Sequence, residues 1–118
     1  MIYLCLMRIW DLPPEVLYRK HLAAEHRELH GIWNILTIHG GKGGYSRHPE
    51  TLRWTGKLMA LYIRHNRLVA EMGKRRWHHR TPLDRKQATG YDVQDEFLVT
   101  AEEQLEILLR KSCGCPLK

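Results

Sequence analysis

From Tyr18 to Leu36 no proline interrupts the chain, and Tyr18, Leu22, Leu29, Ile32, Trp33 and Leu36 recur at a spacing that puts them on one stripe of an α-helix. A helix with such a stripe has to be covered by other parts of the chain, which restricts the fold to helices packed around a shared core. His21 and Glu28 fall two turns apart at the edge of the stripe, and Ala24 and Gly31, both small, share that side. The pattern predicts a hollow there rather than a ridge. Glu25 lies inside the apolar stripe, where an ionised carboxylate needs a partner, such as an arginine, or a raised pKa.

The rest of the chain reads as more helix. Pro13-Pro14, with Asp11 as a cap, opens the first helix over about residues 14–37, and a glycine-rich loop at Gly40-Gly41-Lys42-Gly43-Gly44 ends it. That loop fails the phosphate-loop pattern, because no Ser or Thr follows the Lys. A second helix is expected from about His48 to Gly73, with Trp54, Leu58, Leu61, Tyr62, Leu68, Val69 and Met72 inward and His65 as a packed core histidine. A polar connection over Thr81–Tyr91 follows. Thr100 and Glu103 form a capping box that opens a last helix, with Leu105, Leu108 and Leu109 inward. The expected architecture is all-α: a single compact domain over residues 1–118, with about three main helices and a long basic connection. Residues 1–6 read as a possible start-site extension, and residues 112–118 as a tail.

Composition narrows the partners. A net charge of +6, from 19 Lys and Arg against 13 Asp and Glu, favours a polyanion. Arg53, Lys57, Arg64, Arg67 and Lys74 form a cationic column beside the second apolar stripe, suited to a phosphate backbone. Lys74-Arg75-Arg76-Trp77-His78-His79-Arg80 mixes cations with an aromatic, a combination that contacts phosphates and stacks on a base or sugar. The cysteines Cys5, Cys113 and Cys115 make a poor disulfide framework and suggest a reducing, cytoplasmic setting. The apolar start Met1–Met7 is too short to span a membrane.

The stretch His21-Leu22-Ala23-Ala24-Glu25-His26-Arg27-Glu28-Leu29 resembles the signature helix of the pyrimidine-dimer DNA glycosylases, the bacteriophage endonuclease V family. The likeness continues through Lys57-Leu58, Val69-Ala70-Glu71, Lys74-Arg75 and Trp77, and covers about residues 7–84. The resemblance implies a small helical enzyme that removes a base at an ultraviolet-induced dimer and then cuts the strand. Its nucleophile is a terminal α-amine, carried over to Met7, and its essential carboxylate is carried over to Glu28. Arg8, His21 and Arg27 match residues that position the damaged strand. Arg64, Lys74, Arg75 and Arg76 are added as phosphate contacts on charge alone, and Trp77 as the aromatic that stacks on a base or sugar.

Three departures stand out. The chain begins six residues before Met7, Gly31 replaces a DNA-contacting arginine of the family, and the family's aromatic carboxyl-terminal segment has no counterpart. The expected partner is double-stranded damaged DNA, bound by a monomer with no metal, cofactor or membrane involved. The main alternative is a non-catalytic helical nucleic-acid-binding module on the same scaffold. A metal-dependent hydrolase built on His78, His79 or the cysteines is a third class.

Overall fold

Two long helices carry the core. In a computed structural model that describes residues 9–38, 48–78, 81–98 and 100–109, α1 (Arg19–Thr37) packs against α3 (Leu58–Lys74). The inward face of α1 carries Leu22, Leu29, Ile32, Trp33 and Ile35, and that of α3 carries Ala60, Leu61, Leu68 and Met72. Between them lies the short α2 (Pro49–Leu52), and α4 (Ala101–Leu109) closes the described chain. The molecule is all-α, and no strand occurs among the described residues.

The first helix is shorter than its sequence predicts. Pro14–Val16 form a separate 3-10 turn, Leu17 and Tyr18 are extended, and the α-helix starts only at Arg19. The carbonyls of Pro14 and Leu17 both face the guanidinium of Arg75, at 3.4 and 2.7 Å, so a side chain from the end of α3 bonds this turn.

The second expected helix is divided too. After α2 the chain turns through Arg53–Lys57, with Gly56 at φ +77°, a left-handed conformation that favours glycine. The amides of Met59 and Ala60 then donate to the carbonyls of Thr89 and Tyr91, at 2.7 and 3.1 Å, which satisfies two N–H groups that a helix start leaves open. Tyr91 N–H donates in return to the Gly56 carbonyl at 3.0 Å. Gly90 makes this approach possible: at φ +81°, any Cβ on it would lie 2.1 Å from the Gly56 oxygen. The connection after α3 is therefore fastened to the start of that helix.

The capping box at the start of α4 forms as its sequence predicts. Glu103 N–H donates to Thr100 Oγ1 at 3.1 Å, and Thr100 N–H donates to Glu103 Oε1 at 3.3 Å. Gln104 and Leu108 are buried. The expectations for Gly40–Gly44, His79, Cys5, Cys113, Cys115 and the side chain of Leu109 lie outside the described residues.

Candidate active site

The lead-in from Ile9 to Leu17 supplies Ile9, Trp10, Leu12 and Leu17 to the core, and three arginines hold its backbone there. Arg53 donates to the Ile9 carbonyl at 2.8 Å and to Asp11 Oδ1 at 3.0 Å, while its Nε bonds Glu50. Arg64 donates to the Leu12 carbonyl at 2.7 Å and grips both oxygens of Glu25, at 2.6 and 3.0 Å. Arg75 donates to the Leu17 carbonyl at 2.7 Å and to Glu71 Oε2 at 2.7 Å. Each guanidinium thus meets at least one carboxylate for its charge and at least one main-chain carbonyl of the lead-in, as a planar fork of donors allows. From the other side, α4 closes on the same segment: Asp11 N–H donates to Gln104 Oε1 at 2.7 Å, and Gln104 Nε2 donates to Asp11 Oδ2 at 3.0 Å.

Arg64 and Arg75, both assigned to phosphates on charge, have their side chains engaged within the fold. Arg53 and Lys57, the first two members of the cationic column, are buried as well. Lys57 Nζ donates to Gln94, Asp95 and Glu96, at 2.8, 3.0 and 2.8 Å. The reason is the same in each case: a carboxylate or carbonyl lies opposite the cation and offsets the cost of taking its charge out of water. Arg67 and Lys74 remain on the surface, as do Arg27 and Arg76. Arg67 and Lys74 border one shallow cleft of about 150 Å³ together with Pro14, Glu15 and Ala70. Trp77 is half-buried against the core, and its main-chain N–H donates to the Met72 carbonyl at 2.9 Å.

The two carboxylates of α1 differ sharply. Glu25 is buried, and full burial pushes its carboxyl above the ordinary range, with Arg64 and the Trp10 backbone N–H pulling the other way. Glu28 is half-exposed, and among the described residues it has no ion-pair or hydrogen-bond partner. His21, half-buried on the same side of α1, meets Trp10 edge-on with ring centroids 6.4 Å apart. The first described residues of the chain thus lie against the end of α1 from which Glu28 is two turns away. Met7 and Arg8 lie outside the described residues.

A family model described as pyrimidine dimer DNA glycosylase matches residues 7–85. The chain belongs to that family. No curated protein and no solved structure matches it. The glycosylase match takes in the lead-in, the signature helix and all three arginines of the clamp, and it ends before α4. Gln104, which closes the clamp from α4, therefore lies beyond the matched region.

Charge patterning hid the clamp. Glu25 reads in the sequence as an acid inside an apolar stripe and Asp11 as a helix cap; in the structure Asp11, Glu25 and Glu50 each face an arginine. His26 and His30 stand one helical turn apart in the sequence, a spacing that makes them neighbours on one side of α1.

Proposed function

We propose that this glycosylase is also an abasic-site lyase, acting on pyrimidine dimers in duplex DNA through a terminal α-amine and Glu28. The observation that carries the reading is the accessible carboxylate of Glu28 in the family's signature helix, three residues from a carboxylate that the fold has consumed. Glycosylase chemistry needs an acid that is fixed in place and open to substrate. Glu28 has the fixed helical backbone and half-exposed position for that role.

An α-amine has an ordinary pKa of about 7.7–8.0, so a useful fraction is neutral and nucleophilic near pH 7. Its nitrogen attacks C1′ of the damaged nucleotide; the N–C1′ bond forms as the bond to the base breaks, and the base leaves with the electron pair. Ring opening at the C1′–O4′ bond gives an imine. Glu28 then takes a proton from C2′, which the imine has made acidic, and the C3′–O bond breaks to expel the phosphate. The carboxylate also stabilises the cationic sugar before that step. Water then hydrolyses the imine, which frees the amine and leaves the sugar as an aldehyde.

The three-arginine clamp supports delivery of the amine. It fixes the lead-in from Ile9 to Leu17 on the face that carries His21. The family match opens at Met7; the resemblance carries the terminal nucleophile over to that residue, and we infer that a chain starting at Met7 is the active form. Arg27, Lys74 and Arg76, joined by Arg67, supply exposed charge for the phosphates, and Trp77 offers a partly open ring. Duplex stacking blocks C1′, so bending or flipping of a nucleotide accompanies binding.

Borohydride trapping on abasic-site DNA tests the reading. A chain starting at Met7 should form a covalent adduct, a chain starting at Met1 should form much less, and Glu28→Gln should bind the duplex without cleaving it. Binding by all three with neither adduct nor cleavage would leave a non-catalytic DNA-binding module.

A further inference from the structure

Three histidines converge on the opposite edge of α1 from Glu28. His26 and His30 are one turn apart on α1, and His65 reaches them from α3. Their ring centroids lie 4.6, 5.2 and 5.0 Å from one another, and one ligand nitrogen of each falls within 4.8 Å of the other two. We propose that His26, His30 and His65 bind a divalent transition ion of the zinc class, tying α1 to α3.

The geometry fits such an ion. His26 Nε2 and His30 Nε2 are 3.2 Å apart. Two nitrogens at ordinary zinc bond lengths of about 2.0–2.1 Å stand about 3.3–3.4 Å apart at a tetrahedral angle. The pair therefore already spans one edge of a zinc tetrahedron, and small rotations bring the third nitrogen in. The donor set is all imidazole, which suits zinc, copper, nickel or cobalt and not calcium or magnesium, which demand oxygen. Half-exposed His26 and His30 leave a way in for the ion and a fourth position for water, whereas His65 anchors the site from the core.

The surroundings hold the site in register. Glu25 and Arg64 are the chain neighbours of His26 and His65, and their bidentate pair locks α1 to α3 at that level. His65 Nδ1 lies 3.2 Å from Asn66 Oδ1, and a proton shared there directs a lone pair to Nε2. Turning from residue 26 to residue 28 on a helix rotates the side chain by about 200°. The ion would therefore stand away from Glu28, and its role is to clamp the helix pair rather than to serve the sugar chemistry.

The test needs no DNA, so its result is independent of the repair reading. Full-length protein stripped with a chelator is titrated with Co²⁺, read by its visible absorption, and with Zn²⁺, read by calorimetry. Cys113→Ser/Cys115→Ser is carried through alongside. One ion per chain should bind with tetrahedral cobalt bands in both proteins, and Zn²⁺ should raise Tm by several degrees. His26→Gln and His30→Gln should each weaken binding by at least the roughly tenfold that even a supporting residue is worth. Both sites are half-exposed, so these variants should keep the native circular dichroism even if His65→Gln does not fold. Absence of cobalt bands, binding that survives in His26→Gln/His30→Gln, or binding lost with the two serines would each overturn the proposal.

Discussion

Glu25 and Glu28 are three residues apart on α1, and Arg64 and Arg67 are three apart on α3. One member of each pair is buried and the two buried members hold each other; the outer members, Glu28 and Arg67, face solvent. Three residues on a helix rotate a side chain by about 60° back across the face, enough to move it from the core to its margin. The same two residue types thus serve the fold on one side and stay available for substrate on the other. A charge is spent on structure when its opposite lies across the helix interface, and it is left for function where the interface ends.

The largest effect should follow from breaking the inner pair. Arg64→Ala leaves Glu25 buried and alone and is expected to lose about 3–5 kcal/mol of stability in urea denaturation. Arg67→Ala should stay within about 0.5 kcal/mol. Replacing both inner partners, as in Glu25→Leu/Arg64→Met, should recover most of the loss, because two well-packed apolar chains remove the stranded charge. If Arg64→Ala and Arg67→Ala proved equally mild, the division between inner and outer charge would collapse.

Next in size is the outer carboxylate. Glu28→Gln should reduce strand cleavage at a dimer by about a hundredfold or more, measured in single-turnover assays, and should leave the urea midpoint nearly unchanged. Glu25→Gln reverses the pattern: stability falls first, and cleavage follows only as far as the lead-in loosens.

How far this division can be read in the sequence depends on which residues carry it. The apolar stripe of α1 and the capping box of α4 are local, period and spacing suffice for them, and both stand as expected. Glu25 could be marked as a carboxylate in need of a partner because its own helix placed it inward. Its partner could not be chosen, since Arg64 is one cation among several at equal sequence spacing, and only the crossing of α1 with α3 selects it. The breaks at Leu17 and at Gly56 were illegible for a related reason. A guanidinium far along the chain holds the first, and the approach of Gly90 accompanies the second. The histidine trio needs His65 from another helix, which no local pattern supplies.

Smaller effects concern the exposed cations. Arg76 has φ +65° and occupies the position after α3 where glycine usually stands: its N–H donates to Gly73 O at 3.0 Å, and Trp77 N–H donates to Met72 O at 2.9 Å. Arg76→Gly should therefore stabilise the protein slightly, by about 1 kcal/mol at most, while weakening duplex binding and lowering its salt slope by roughly one. Arg67→Ala should lower the slope by a similar amount without the gain in stability. Gly31 lies half-buried on α1, and a Cβ there meets nothing within 4 Å. Gly31→Arg should thus be accommodated, gain up to about 1 kcal/mol in helix propensity, and steepen the salt dependence. A loss of stability would mean that the hollow beside Glu28 is filled.

The mildest prediction concerns Lys57, whose charge is buried while its partners Asp95 and Glu96 are exposed. Burial alone would lower the Lys57 pKa, but the hydrogen bonds and charges of Glu96 and Asp95 outweigh it and hold the ammonium above its usual 10.5. Asp95, hydrogen-bonded and attracted by Lys57, is held below its usual 3.8. The lysine's contribution to stability is then fully present below pH 10.5 and fades as pH rises through its raised value. The aspartate's is present above pH 3.8 and fades as pH falls through its lowered value. Asp95→Asn should therefore flatten only the acid arm of a stability–pH profile, and slightly, because the carboxylate is screened by solvent. Lys57→Met should affect both arms and loosen residues 94–96 in hydrogen exchange. An unchanged profile in Lys57→Met would mean that solvent exposure of one partner cancels a charge interaction even when the other partner is buried, and the contrast between inner and outer charges would then require burial on both sides.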